Sequence, residues 1–256
     1  MNWAERGASA IRAATLHFLA SLAVASLAAA LVFGLWFPYP YRELAGGREL
    51  FLLVVAVDVV CGPVLTAVLF NSNKSRRELM LDLGLVALVQ LAALAYGLHT
   101  VAQARPVYLA FEVDRFRVVT VADVHKDTLN PAQGGLHELP WTGPRIIGVR
   151  PARDGDEMLA SLDLSLRGIE PSARPDWWQA YELSKPQVQA KAQAVANLRR
   201  KRVDKTALID EAVQASGLPE GELAWLPLTS FHSSEWVVFV DKRTADVVSF
   251  AFVDGF

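Results

Sequence analysis

The first hundred residues contain three long apolar runs, each long enough to cross a bilayer as a helix. The runs cover residues 13–37, 50–70 and 79–101. All three exceed the roughly 18 apolar residues that separate a membrane span from a buried core helix. The first run is too long for a secretory signal and ends in aromatic residues typical of a membrane interface. We therefore predict a membrane domain, residues 1–102, that retains three transmembrane helices.

The rest of the chain, residues 103–256, shows strand and helix patterns and predicts one soluble α+β domain, called the head below. Patterns rich in β-branched and aromatic residues predict strands at 107–113, 116–124, 146–149, 236–240 and 247–253. Amphipathic patterns predict helices at 157–166, 186–201 and 205–215. Strands at both ends with helices between them favour an antiparallel sheet packed on a helical layer.

Charges in the short loops predict the orientation of the membrane domain. Five basic residues lie in the N-terminal tail and the second loop, against two in the first loop. The positive-inside rule places the tail and the second loop in the cytoplasm. Three spans then place the head in the periplasm, so we expect a multi-pass protein of a bacterial inner membrane.

One carboxylate, Asp58, interrupts the second apolar run. A charge at this depth costs roughly 2.5–3.5 kcal/mol on insertion scales, so it usually has a partner or a task. A tight hairpin through residues 71–78 places Gln90 at the same depth, where its amide can donate to the carboxylate. Gly62 and Pro63 follow one turn later and predict a kink. The runs lack the aligned ionisable groups of a proton relay, which favours a packing or partner-contact role.

Two further features suggest contact surfaces. Ser21, Ala25 and Ala29 recur every four residues in the first run, a spacing that lets another helix approach closely. Trp177 and Trp178 stand together in a polar stretch of the head. They either anchor a partner at the surface or are buried in the core of the head.

Charge balance, cysteine content and motif spacing limit the classes of ligand and reaction that we expect for this protein. The head carries 18 Lys and Arg against 21 Asp and Glu, a balance that does not indicate nucleic-acid binding. Cys61 is the only cysteine and lies in the second run, so the head has no disulfide. No spacing of His, Cys or acidic residues matches a known metal or catalytic motif. We expect no cofactor, metal, catalytic residue or small-molecule substrate, and we expect contact with membrane lipid.

An ordered set of motifs covers residues 36–124. In chain order the motifs are Trp36-Phe37-Pro38, Gly46-Gly47, Val57-Asp58-Val59-Val60-Cys61-Gly62-Pro63-Val64-Leu65-Thr66, Phe70-Asn71, Leu81-Asp82-Leu83, Gln90-Leu91-Ala92-Ala93-Leu94-Ala95-Tyr96-Gly97, Ala104-Arg105-Pro106-Val107-Tyr108 and Phe111-Glu112-Val113-Asp114-Arg115-Phe116. The set resembles the TfpX/TfpZ-type family of type IV pilin accessory proteins. This resemblance implies an inner-membrane protein that assists the production or assembly of a major type IV pilin without being a pilus subunit.

Two functional hypotheses follow. The first is a non-enzymatic, chaperone-like accessory factor that holds the apolar helix of a pilin through Asp58, Gln90 and the small-residue stripe of the first run. The second is a membrane-anchored sensor or signal transducer whose periplasmic head binds a ligand. A membrane enzyme would need a clustered acid, base or metal set at the end of a span, and the sequence offers none.

Overall fold

The computed structural model describes residues 3–70, 74–130 and 135–256, and only the backbone of residues 3–9. The chain divides into two compact units. The first unit contains Met1–Tyr39 and Gly46–Gln103, and the second, which is the head, contains Pro40–Ala45 and Ala104–Phe256. Asn71 in the predicted hairpin turn, and residues 131–134 in the long loop of the head, lie outside the described residues.

Long apolar helices make up the first unit. Helix α1 (Trp3–Leu31) continues into a π-helical turn (Val32–Trp36), and α3 (Gly47–Leu69) and α4 (Arg76–Ala104) follow after the short α2 (Tyr41–Leu44) of the head. The three long helices are long and apolar enough to cross a membrane. At the start of α4, Ser75 and Glu78 exchange side-chain and backbone hydrogen bonds of 2.9 and 3.2 Å. This capping box satisfies two backbone N–H groups and sets where α4 begins.

The head combines one sheet with short helices. Its strands are β1 (Pro106–Glu112), β2 (Arg115–Thr120), β3 (Arg145–Val149), β4 (Trp178–Ala180), β5 (Gln193–Ala194), β6 (Leu223–Thr229), β7 (Trp236–Asp241) and β8 (Val247–Ala251). Its other helices are α5 (Gly155–Leu166), α6 (Tyr181–Lys191), α7 (Val195–Lys201) and α8 (Thr206–Ser216). The strand order is β4-β3-β1-β2-β6-β7-β8, and β5 pairs with β6.

The sheet is mixed, so the expected purely antiparallel sheet is wrong. Strand β3 runs parallel to β1, and β6 runs parallel to β2. The remaining pairs, including the β1–β2 and β7–β8 hairpins, are antiparallel. Parallel neighbours require long crossover connections. Here a long loop separates β2 from β3, and helices α5–α8 separate β3 from β6, so the local hairpin patterns contained no information about these pairings.

The helix predicted at 186–201 is two helices. Residues Gln193 and Ala194 are extended and pair with Trp225 and Ala224 of β6, which separates α6 from α7. Trp225 Nε1 also donates a 3.1 Å hydrogen bond to the Ala194 carbonyl. The pairing with β6 and this bond replace the helical hydrogen bonds that the local sequence favours.

Alternating side chains of the central strands bury both faces of the sheet. On one face, Leu109 and Phe111 of β1 join a core cluster with Tyr181 and Val188 of α6. On the other face, Tyr108 and Ala110 of β1 pack with Trp177 and Trp178, while α7 and α8 cover β6 and β7. A strand buried on both faces is a central strand, which explains the continuous burial of β1.

The connection between α1 and α3 is part of this core. Tyr41 and Leu44 of α2 belong to the same cluster as Leu109 and Phe111, and Leu44 is fully buried. The Tyr41 ring meets the Phe250 ring edge-on, with centroids 5.9 Å apart. Ser230 Oγ donates a 2.5 Å hydrogen bond to the Leu44 carbonyl. Residues 40–45 are therefore a structural element of the head.

Replacing Leu44 tests this assignment. Leu44→Ala leaves a cavity in the core of the head and is expected to lower the free energy of unfolding by about 3 kcal/mol. Unfolding of the full chain in detergent by urea, followed by tryptophan fluorescence, measures the change. Leu166→Ala is the matched control because Leu166 is 81% exposed. An equal loss in both variants would contradict a core position for Leu44.

Candidate functional site

A polar contact joins α3 and α4 in the middle of the apolar unit. Gln90 Nε2 donates to the backbone carbonyl of Asp58 at 2.9 Å and lies 3.4 Å from Asp58 Oδ1. The structure thus brings together the two residues that sequence depth paired, but the stronger bond goes to the backbone. Among the described atoms, Gln90 Oε1 is buried and accepts no hydrogen bond.

Gly62 and Gly97 let α3 and α4 approach each other. A Cβ atom on Gly62 would collide with the carboxamide of Gln90, and one on Gly97 would collide with the Val54 side chain. Pro63 lies within α3 and removes the backbone donor that would bond the Val59 carbonyl. Gly62 therefore leaves room for the Gln90 side chain, and Pro63 leaves the Val59 carbonyl without its usual helical donor. The kink predicted at these two residues stays a prediction.

The small-residue stripe of α1 packs inside the chain. Ser21, Ala25 and Ala28 are buried, while Ala29 is half-buried, and α1 packs against α3. His17 Nδ1 and Thr66 Oγ1 share a 2.5 Å hydrogen bond that joins the same two helices. Close packing through small residues is the usual basis of helix association in membranes. Ser21 and Ala25 are therefore buried by packing within the chain, where α1 meets α3, and they do not form an open groove for another helix.

Helix α4 leaves most of its apolar surface uncovered. Of its residues, all of which the structure describes, only Val86, Gly97 and Val101 are buried. Large apolar residues such as Leu85, Leu88 and Leu91 are exposed. A membrane span that the rest of the chain does not cover meets lipid or the helix of another protein.

The head contains a groove that the sequence did not indicate. Its volume is about 750 Å³, and it lies between α5, the tip of the β1–β2 hairpin and the C-terminal half of α6. Met158 and Leu162 of α5 line it and are largely exposed to solvent. Leu159 and Leu166 extend this exposed apolar surface along the helix. Contiguous exposed apolar surface of this kind usually marks a binding site.

An ion pair and two capping bonds hold α5 beside the groove. Arg150 donates two hydrogen bonds to Glu157, at 2.9 and 2.7 Å. The backbone N–H of Arg153 donates to Glu157 at 2.5 Å, and Asp154 caps the helix by accepting from the Glu157 N–H at 2.8 Å. The Arg150 hydrogen bonds are the main cause that lowers the pKa of Glu157 to about 2. Ser161, the buried residue of α5, accepts from Arg174.

Trp177 and Trp178 are buried, at 5% and 9% exposure, so they do not form an exposed anchor. The guanidinium groups of Arg150 and Arg174 lie 4.5 and 4.4 Å from the Trp177 ring. Trp178 Nε1 donates a 2.8 Å bond to the Ser172 carbonyl. The core alternative applies to both, because both rings belong to the buried cluster that packs against Tyr108 and Ala110 of β1. Trp177 still contributes to the wall of the groove.

Two unusual residues lie at the hairpin end of the groove. Glu112, which ends β1, is buried, and burial raises the pKa of its carboxyl. Val113 is 73% exposed at the hairpin tip and has φ of 59°. A β-branched residue rarely adopts this left-handed conformation, and strain of this kind clusters at functional sites. Sequence reasoning missed both residues because the hairpin pattern alone shows neither burial nor the sign of φ.

Replacing Gly62 tests the contact between α3 and α4. In Gly62→Ala the new methyl group displaces the Gln90 amide, so the bond to Asp58 is lost at a cost of about 1 kcal/mol. The midpoint of SDS-induced unfolding in mixed micelles measures the change. Gly84→Ala is the matched control, because a Cβ at Gly84 meets nothing within 4 Å. The contact is unimportant if both alanine variants unfold alike.

Replacing Glu157 tests the attachment of α5. A lowered pKa means that the Arg150–Glu157 pair stabilises the fold above the unfolded pKa of about 4.3 and is lost as pH falls towards about 2. Glu157→Gln is therefore expected to lower the thermal midpoint of the detergent-solubilised chain at neutral pH. The difference from the native chain should shrink as pH falls. Glu211→Gln, an exposed carboxylate of α8, serves as the control; a pH-independent difference for Glu157→Gln contradicts the assignment.

Comparison with known proteins gives one consistent result. A family model described as "Fimbrial assembly protein FimB" matches residues 5–46. The chain is 35% identical over 243 residues to the fimbrial assembly protein of serogroup I from Dichelobacter nodosus, covering 93% of each chain. It is 34% identical over 243 residues to the serogroup E1 protein of the same organism, with the same coverage. No solved structure matches the chain.

These relatives agree with the class of function that the motifs of residues 36–124 indicated. The narrower resemblance to TfpX/TfpZ-type proteins stays a prediction. Similarity over nearly the whole of both chains includes the apolar helices and the head, so it is not a match of hydrophobic composition alone. The chain belongs to the family of fimbrial assembly proteins.

Proposed function

We propose that the protein is a non-catalytic accessory factor of the bacterial inner membrane that stabilises a type IV pilin and assists its assembly. The observation that carries this proposal is the similarity, over 93% of both chains, to proteins named for fimbrial assembly. Its chaperone-like character rests on the surfaces it offers: an uncovered apolar helix and an apolar groove in the head.

The burial of α2 supports the proposed topology. Residues 40–45 follow α1, while the rest of the head follows α4, yet both form one core. The first loop and the head must therefore lie on the same side of any membrane that the helices cross. Crossing by both α3 and α4, which lie between the first loop and the rest of the head in the chain, satisfies this requirement, whereas crossing by only one of them does not. The basic residues of the tail and the second loop favour the cytoplasm for the opposite side, which makes the head periplasmic.

The two surfaces match the two parts of a pilin before assembly. The uncovered face of α4, next to the Asp58–Gln90 contact, is suited to an apolar helix within the membrane. The groove beside α5 is suited to an apolar segment of the soluble part of the client.

The groove also favours the second hypothesis, a sensor. Its volume of about 750 Å³ falls in the range of sites that bind small molecules. In that case a periplasmic ligand would change pilus production, while the pilin itself would not contact the groove. Contact with the pilin therefore separates the two hypotheses.

Deleting the gene and restoring it with variants tests the proposal. Deletion is expected to reduce surface pili and pilin level together. Leu162→Asp, which places a charge in the groove, and Gln90→Leu, which removes the hydrogen bond to Asp58, are each expected to restore pili about tenfold less well than the native gene, as loss of a central contact would. Leu183→Asp is the matched control, because Leu183 is exposed on α6 outside the groove. Immunoblots of membranes confirm equal amounts of each variant.

A photo-crosslinker at Leu162 identifies the occupant of the groove. Crosslinking to the pilin in living cells from position 162, and not from 183, supports the accessory factor. Normal piliation in the deletion strain contradicts the proposed function. Piliation that depends on the gene, together with no pilin crosslink and a response to a small ligand, favours the sensor.

A further inference from the structure

Most aromatic residues of the head are buried, and among its described exposed rings those of Phe231 and Trp141 are the two most exposed, ahead of Phe256 at 51% and Phe252 at 44%. Phe231 is 90% exposed and Trp141 is 63% exposed. By contrast, Tyr108, Phe111, Phe116, Trp225 and Phe239 are fully buried. Leaving a ring of this size in water costs about 1.5–3 kcal/mol relative to burial. A ring this exposed can gain this free energy by inserting into an apolar surface outside the head.

Trp141 packs beside one of the segments that connect the head to the apolar helices, and Phe231 directly follows a residue that contacts the other. The Arg105 guanidinium lies 4.9 Å from the centroid of the Trp141 ring, and Arg105 directly follows the last residue of α4. Ser230, the neighbour of Phe231, donates to the Leu44 carbonyl at 2.5 Å. Leu44 precedes the start of α3 by three residues, a stretch that extends at most about 11 Å.

We propose that Trp141 and Phe231 insert into the interfacial layer of the lipid bilayer and hold the head at the membrane surface. The proposal rests on the membrane location in the proposed function. Aromatic residues concentrate at this layer, where an apolar ring leaves water without entering the hydrocarbon core. The two rings come from separate loops, next to separate chain junctions. The bilayer is the one surface that is present at both junctions whatever partner the protein binds.

The test uses the full chain in nanodiscs of phosphatidylethanolamine and phosphatidylglycerol. Cys61→Ala removes the only cysteine, and Trp141→Cys or Phe231→Cys then receives the environment-sensitive dye NBD. Both labels are expected to shift to shorter emission wavelengths. Lipids with a nitroxide near the headgroup are expected to quench them about twofold, as for groups buried in the interface.

Leu166→Cys is the matched control. Leu166 is exposed on α5. Arg105 directly precedes β1, and β3 runs parallel to β1. The end of β3 that leads into α5 therefore lies away from Arg105. A label at 166 should show neither the shift nor the quenching. Equal quenching at 141, 231 and 166, or none at 141 and 231, overturns the proposal.

A protein contact at the same surface gives a different outcome. If the labels at 141 and 231 shift only after a pilin is added to the nanodiscs, the surface binds protein and the lipid proposal is wrong. If the labels at 141 and 231 are not quenched but gene deletion still reduces piliation, the lipid proposal is wrong and the proposed function stands. Conversely, normal piliation after deletion refutes the proposed function and does not change the quenching result.

Discussion

The packing of Tyr41 and Leu44 against the sheet of the head is the constraint on which the architecture depends. These residues come from the connection between α1 and α3, yet their side chains are buried by strands from the far end of the chain. Pulling either side chain from this core exposes apolar surface at a cost of about 2 kcal/mol. Separating the connection from the head is therefore unfavourable, and the first loop and the head lie on the same side of any membrane that the helices cross.

The contact between α3 and α4 depends more on the shape of the packed surfaces than on the charge of Asp58. Gly62 and Gly97 remove the side chains that would keep α3 and α4 apart, and Gly62 is what allows Gln90 to reach Asp58. The bond to the Asp58 backbone explains why the pair links the helices even though the carboxylate itself is only weakly engaged at 3.4 Å. The sequence paired Asp58 with Gln90 because both lie at the same distance from the predicted hairpin turn. Only the tertiary structure shows that the main acceptor is the backbone carbonyl of Asp58 and not its side chain.

In the head, the sequence predicts individual hairpins and helices better than it predicts which strands pair with each other. The β1–β2 and β7–β8 hairpins and helices α5 and α8 follow from alternation and amphipathic spacing. The parallel pairs β1–β3 and β2–β6 do not, because long connections leave the choice of neighbour to the burial of whole faces. The split between α6 and α7 has the same origin, since pairing with β6 outweighs local helix propensity at Gln193.

The sequence by itself determined the three apolar helices, strands β1, β2, β3, β7 and β8, helices α5 and α8 and the class of function, because each depends on local pattern or on a linear set of motifs. It did not indicate β4, β5 or the central strand β6. Tertiary structure alone decided that α2 belongs to the head, that Trp177 and Trp178 are core residues and that α5 turns Met158 and Leu162 towards an open groove. The physical reason is that periodicity specifies which residues share a face. What that face meets is set by contacts between residues far apart in the chain.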